Sequence, residues 1–308
     1  MTLRTTLLLV LVGLSLFTIA QGTTESDSSY WTKGGRTRVT FSNVALSNWA
    51  AGGQSSSSVA SFVTLFADKR TPKHKWKNSL DLAYGVIKQG GQPVQKSDDK
   101  INYLMRYGWL IKKSPKWFFT SSIDFRTQFA PGFAPNDQDS VISRFMAPGY
   151  LTVGAGIEFA PNEFISFSYK PVTGKITIVS DDKIVGTQGA YGVKPGENTR
   201  LELGSFFSIN YKQEAIKNVK VDSRLELFTN YEKASFGLVD VNWQNSIVMK
   251  INGSLSTDLF TQLIYDDDIK TERINEAGDV RVGGAQVQLK SVFGIGLTYS
   301  FGAERPKD

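Results

Sequence analysis

From residue 117 to 129 the chain alternates with a period of two. One face carries Trp117, Phe119, Ile123, Phe125 and Phe129, and the other Thr120, Ser122, Asp124, Arg126 and Gln128. A period of two puts successive side chains on opposite faces of a strand, so this segment predicts a strand with one apolar and one polar face. The rhythm recurs in Ile101, Tyr103, Met105 and Trp109, in Leu201, Leu203, Phe207 and Ile209, in Val219, Val221, Leu225 and Leu227, and in Val239, Val241, Trp243, Ile247 and Met249. Weaker runs surround Leu80, Leu151, Ile165 and Leu255, and two poorly alternating strands are expected at 36–44 and 55–69. No heptads or amphipathic helices break the pattern. The expected fold is all-β, a transmembrane antiparallel up-and-down β-barrel of about twelve strands, even in number if both termini share one side.

Three features favour a barrel in a membrane over a soluble sandwich. Aromatic residues gather near strand ends, with Trp76, Trp109, Trp117, Phe159, Tyr211 and Tyr299 at one end and Tyr103, Phe129, Tyr231 and Tyr265 at the other. Amphipathic rings prefer the two membrane interfaces. Connections alternate in length: short around 114–116, 161–162, 215–217 and 253, long at 90–99, 130–145, 171–199 and 266–284. Short periplasmic turns and long outer loops produce that parity. The last alternating stretch, Phe293, Ile295, Leu297, Tyr299 and Phe301, is similar to the terminal signal of outer-membrane proteins, although residues 302–308 come after it.

At the N-terminus, Arg4 precedes an apolar run from Leu7 to Ile19, and Thr18 and Ala20 stand where a leader peptidase requires small residues. The run is short for a membrane helix. The expected organisation is a signal peptide at 1–20, a periplasmic tail at 21–35, the barrel at 36–301 and a second tail at 302–308. The expected location is the outer membrane, and the expected partners are its lipid and the outer-membrane assembly machinery.

Composition narrows the chemistry. The chain has no cysteine, one histidine and a formal net charge of +6. Thiolate nucleophiles, disulfides and a lipoprotein anchor are thereby excluded. No basic run interleaved with aromatics suggests nucleic acid. His74 sits in the basic stretch 70–75 with no serine placed beside it, and reads as a solvated turn residue, so no catalytic residue, metal ligand or cofactor is assigned. Asp266, Asp267 and Asp268 lack the alternate spacing of a calcium loop and read as solvated loop charge, as do Asp98, Asp99, Asp181 and Asp182. Trp49 among small residues is read as the first outer turn. Gly154, Gly156, Gly294 and Gly296 fall on the inward face, where they would let the barrel bend.

The informative remainder is charge on the inward face. Arg106, Asp124, Arg126, Asp222, Arg224, Glu226 and Asp240 are the candidate lumen-lining residues, with Glu158, Glu202, Lys212, Lys220, Lys250, Asp258 and Lys290 on the same face. Mixed signs argue against a strong one-sign ion filter. The leading expectation is a channel or passive transporter for a small solute of unknown identity. The alternative is a structural or interaction barrel with a closed lumen whose outer loops bind a surface partner. An enzyme ranks last.

Several short motifs add a resemblance. The segments Ser47-Asn48-Trp49-Ala50-Ala51-Gly52-Gly53, Lys96-Ser97-Asp98-Asp99-Lys100-Ile101-Asn102, Thr127-Gln128-Phe129, Ala147-Pro148-Gly149-Tyr150, Thr173-Gly174-Lys175, Gly189-Ala190-Tyr191-Gly192-Val193 and Tyr265-Asp266-Asp267 occur in this order. Together they resemble a family of Bacteroidota outer-membrane proteins catalogued only as a domain of unknown function. The resemblance implies a barrel fold and an outer-membrane location, and brings no catalytic or ligand residues.

Overall fold

The computed structural model describes residues 30–45, 54–111, 114–134, 137–232, 239–268, 270–274, 280–303 and 305. The expected leader and the Trp49 segment lie outside these residues. Twelve strands form one closed antiparallel barrel. They are β1 (Trp31–Val44), β2 (Ser56–Arg70), β3 (His74–Gln89), β4 (Gln95–Leu110), β5 (Trp117–Thr127), β8 (Gly149–Phe159), β9 (Ile165–Ile178), β10 (Thr199–Ile216), β11 (Val219–Asn230), β12 (Val239–Lys250), β13 (Leu255–Tyr265) and β16 (Gln288–Gly302). Each pairs with its neighbours in chain order, and β1 pairs with β16 from Gly34↔Gly302 to Phe41↔Ile295 to close the ring. Two hairpins stand outside it: β6 (Gly132–Ala134) with β7 (Asp137–Ser143), and β14 (Lys270–Ile274) with β15 (Val280–Ala285).

The barrel strands run from 11 to 18 residues, longer than most globular strands. Their burial is inverted relative to a water-soluble fold. Ser122, Asp124, Ser168, Glu202, Ser208 and Glu226 are buried, while Phe119, Val153, Leu201, Leu203, Phe293 and Leu297 are exposed. The polar set comes from the inward positions of each strand and the apolar set from the outward positions, as the period-two pattern requires.

A ring of aromatics marks the end with the short turns. Trp31 lies 5.4 Å from Trp76, and Trp117 lies 4.7 Å from Phe159. His74 belongs to this ring and is not the solvated turn residue expected. It opens β3, stacks 5.8 Å from Tyr107, and its Nδ1 lies 2.7 Å from the Tyr107 hydroxyl.

The other end carries folded loops. Ala147, Val179, Val185 and Val193 form a buried apolar cluster with Ile184 and Tyr191, joining the segment before β8 to the loop at 179–198. Helix α1 (Asp182–Val185) lies within it. The Tyr191 hydroxyl donates to the Ile142 carbonyl at 2.8 Å, and burial pushes that phenol above its ordinary pKa. Arg144 pairs with Asp181 at 2.8 Å, and the Asp182 carboxylate accepts from Asn198. These acids therefore hold the loops together rather than simply facing water.

Three boundaries differ from expectation. β1 reaches back to Trp31 rather than starting at 36. β4 begins at Gln95, which reduces the expected 90–99 loop to a tight connection. There Asp99 accepts the backbone N–H groups of Phe129 and Ala130, at 2.7 and 2.9 Å, so this acid is tied into the neighbouring loop. The third difference is β9, which continues past Pro171 to Ile178. Ala155 faces Val172 but Ile157 faces Tyr169, so β9 carries one extra residue against β8. This bulge accepts a proline that lacks an N–H, and it moves the inward positions from even to odd numbers. Lys170 faces in before it, and Thr173 and Lys175 face in after it.

Gly156 lies opposite the bulge, where an added Cβ would collide with the Tyr169 carbonyl oxygen and the Lys170 Cα. Gly156→Val should therefore destabilise the barrel by about 1–3 kcal/mol, the usual cost of overpacking. Gly253→Val, at a site with no neighbour within 4 Å, should be close to neutral. Reversible urea unfolding of the two variants in detergent checks this, and equal stabilities would remove the close-approach account.

Candidate functional site

Alternate residues of one strand share a face, so Asp124 and Arg126 of β5 both enter the lumen, as do Arg224 and Glu226 of β11. Strands β8, β9 and β10 separate β5 from β11 in the sheet. Contacts between the two pairs therefore cross the interior. Arg126 grips Asp124 through Nε at 2.7 Å and Nη2 at 2.8 Å, and its Nη2 reaches Glu226 at 2.7 Å. Arg224 donates to Asp124 at 3.1 Å and also pairs with Glu226. Two acids and two bases make a neutral ring. Asn242 donates to Glu226 at 2.9 Å, and Gln262 donates to Asn242 at 2.9 Å, which extends the network to β12 and β13. A second chord runs from Arg106 on β4 to the Asn210 side-chain oxygen on β10 at 2.9 Å.

Towards the long loops lies a cluster with more acid than base. Lys175 is 2.7 Å from Asp240, 3.4 Å from Asp266 and 3.8 Å from Glu202. Arg200 pairs with Glu202 at 3.0 Å and with Asp268 at 2.6 Å. Asp266 and Asp268 thus pair with basic side chains and are not merely solvated loop charge. Towards the short turns, Lys75 pairs with Glu158, Arg305 with Asp68 at 2.8 Å, and Arg38 with Asp258 at 2.6 Å.

A cavity of about 330 Å³ lies between the neutral ring and the acidic cluster. Six of the seven candidate residues border it: Arg106, Asp124, Arg126, Arg224, Glu226 and Asp240. Asp222 does not; it pairs with Lys212 at 3.6 Å near the short-turn end, with both side chains more than half exposed. Lys170 and Lys175 also border the cavity and were not among the candidates. Lys170 could have been found by extending the alternation Ser166, Ser168, Lys170 by one step. Lys175 was hidden by the bulge, which breaks the parity at Pro171. Phe206 and Phe228 complete an aromatic patch that inward parity implied but that polar-residue selection passed over. Among the described residues no cluster of three or more His, Asp or Glu is placed to hold a metal ion.

Residues 41–133 match a family described as protein of unknown function (DUF3078), so this chain is similar to that family over that stretch. No curated protein matches the chain. Among solved structures, the COG4313 outer membrane channel from Pseudomonas putida F1 aligns at 10% identity and TM-score 0.38, covering 91% of this chain and 99% of that one. The translocator domain of autotransporter NalP from Neisseria meningitidis aligns at 7% identity and TM-score 0.34, covering 97% and 98%. The P. putida toluene transporter TodX aligns at 9% identity and TM-score 0.28, covering 91% of each chain. At TM-scores this low, none of them bears on what this chain binds or conducts.

The ring yields a prediction about coupling. Glu226→Ala leaves Arg126 and Arg224 to share Asp124, and breaking a buried pair typically costs about 3–5 kcal/mol. Replacing Arg126 and Glu226 together by Met and Leu should cost less than the sum of the two single changes. A double-mutant cycle on unfolding free energies measures this, and simple additivity would show that the 2.7 Å contact carries no coupling.

Proposed function

We propose that this protein is an outer-membrane β-barrel of the kind found in Bacteroidota, exported by a cleaved leader, that lets small polar solutes pass by a narrow lumen. The observation that carries the reading is the inverted burial: an apolar exterior around a charged interior that holds a cavity. Lipid offers no hydrogen bonds to a strand edge, so only a closed ring of strands suits it, and apolar residues suit the outward positions. The mixed-charge network suits a passive route with little preference for ion sign.

One observation favours the alternative, a closed barrel that presents its outer loops to a partner. The Arg126–Glu226 and Arg106–Asn210 chords cross the interior, and the segment around Ile142–Ala147 packs on the loop at 179–198 to form a rim. Planar-bilayer recording separates the two readings. Purified protein with confirmed insertion should give small discrete conductances, larger when Arg126 and Glu226 are both changed to glycine. Silence from wild type and variant alike would sink the channel and leave the closed barrel.

The membrane assignment has its own test on β11. Leu225 lies mid-strand on the outward face, opposite Ile209 and Trp243. Leu225→Arg should cost roughly 2–4 kcal/mol, as for a charge at the bilayer midplane. Arg224→Leu, on the inward face, should disturb folding less, because Arg126 still serves both acids and the cations Arg106 and Lys170 on the same wall offset them, a compensation that Glu226→Ala lacks. Reversible unfolding in lipid vesicles compares them, and tolerance of Leu225→Arg would remove lipid from this face.

A further inference from the structure

The wall of the cavity is charge-balanced in sum but not in place. Each acid bordering it already has a cation. Asp124 and Glu226 have Arg126 and Arg224. Asp240 and Asp266 have Lys175. Asp99 has Lys96, at 2.8 Å, and two backbone N–H groups. Two cations on the same wall have no such partner. Lys170 is only 3% exposed and forms no ion pair among the described residues; its ammonium lies 4.8 Å from the centre of the Phe206 ring. Arg106 donates to the neutral Asn210 amide oxygen. Glu158, the acid facing this half of the lumen, is held by Lys75. The Nε of Arg224, also on the wall, is buried without a hydrogen-bond partner among the described residues.

A buried ammonium with no counter-charge is costly, and a neighbouring guanidinium adds repulsion. An anion in the cavity removes both penalties. Leu104, Phe206 and Phe228 supply apolar wall beside the cations, a combination of apolar surface and few polar groups that ordinary ligand pockets share. The cavity volume, near the lower end for such pockets, suits a single-ring body. A second negative charge would meet Glu226, Asp124 or Asp240. We infer that the lumen cavity is a binding site for a small organic monocarboxylate, its carboxylate held by Lys170 and Arg106 and its apolar body against Phe206 and Phe228. This rests on the channel reading for the ligand's route of entry but not for binding.

The test uses the full-length protein, folded in a neutral detergent at low chloride, with benzoate, benzyl alcohol and inorganic phosphate titrated by calorimetry. Benzoate should bind saturably, benzyl alcohol and phosphate much more weakly. Lys170→Met should weaken benzoate at least about tenfold, the weight of one hydrogen bond to a charged group, and Lys170→Arg should retain it. If Lys170→Met does not fold, Arg106→Met in the same titration reads the same wall. No benzoate binding, equal binding of phosphate, or benzoate binding unchanged in the folded variant would overturn the inference. Bilayer recording keeps the two ideas apart. Conductance without benzoate binding overturns the site and leaves the channel, whereas benzoate binding without conductance leaves the site and overturns the channel.

Discussion

A strand in a sheet has two hydrogen-bonding edges, and each must be satisfied where no water can reach it. The pairing of β1 with β16 satisfies the last two edges of the barrel. The other features depend on that closure. With the ring shut, each strand has one face turned to the outside and one to a confined interior. Side chains must then be sorted by face rather than by depth. Among the described residues there is consequently no single apolar core. The one fully buried apolar cluster among them lies in the loops above the barrel.

Confinement explains the interior chemistry. Charged side chains that point into a narrow space have little water to share, so they bind one another across it. Asp124, Arg126, Arg224 and Glu226 do so between strands that are far apart in the sheet. Such chords tie opposite walls together and narrow the lumen. Because both signs take part, the ring can be neutral while regions on either side of it are not. The acidic cluster around Lys175 and the cations Lys170 and Arg106, which face no acid of their own, lie on either side of the cavity for this reason.

The bulge in β9 shows how a local irregularity decides which residues meet. One extra residue lets Pro171 stand in a strand without a missing ladder bond, and Gly156 leaves room for the displaced backbone. The same extra residue reverses the parity of the strand beyond it. Thr173 hydrogen-bonds the Lys170 carbonyl at 3.0 Å across the irregularity. Lys170 and Lys175 are thereby both turned inward, on strand positions that strict alternation would have put on opposite faces. The cavity owes Lys175 to that shift, whereas Lys170 keeps the parity of Ser166 and Ser168.

Architecture was legible in the sequence because alternation is a local property. A strand's two faces are written in consecutive residues, and a barrel of about twelve antiparallel strands could be read one segment at a time, although the connection expected to be long at 90–99 is short. Parity alone put Arg106, Asp124, Arg126, Arg224, Glu226 and Asp240 on one face of their strands, and these six border the cavity. Local pattern failed where parity broke, at Pro171, and where polar residues served a neighbouring loop, as at Asp99. It also misplaced His74, whose basic neighbours suggested a turn although its ring packs with Tyr107 and Trp109. Which charges face each other across the lumen, and which are left without a partner, depended on strand stagger and barrel closure. Those relations join residues about a hundred positions apart in the chain. No stretch of sequence contains them, so only the tertiary structure could decide that Arg126 meets Glu226 and that Lys170 meets no acid.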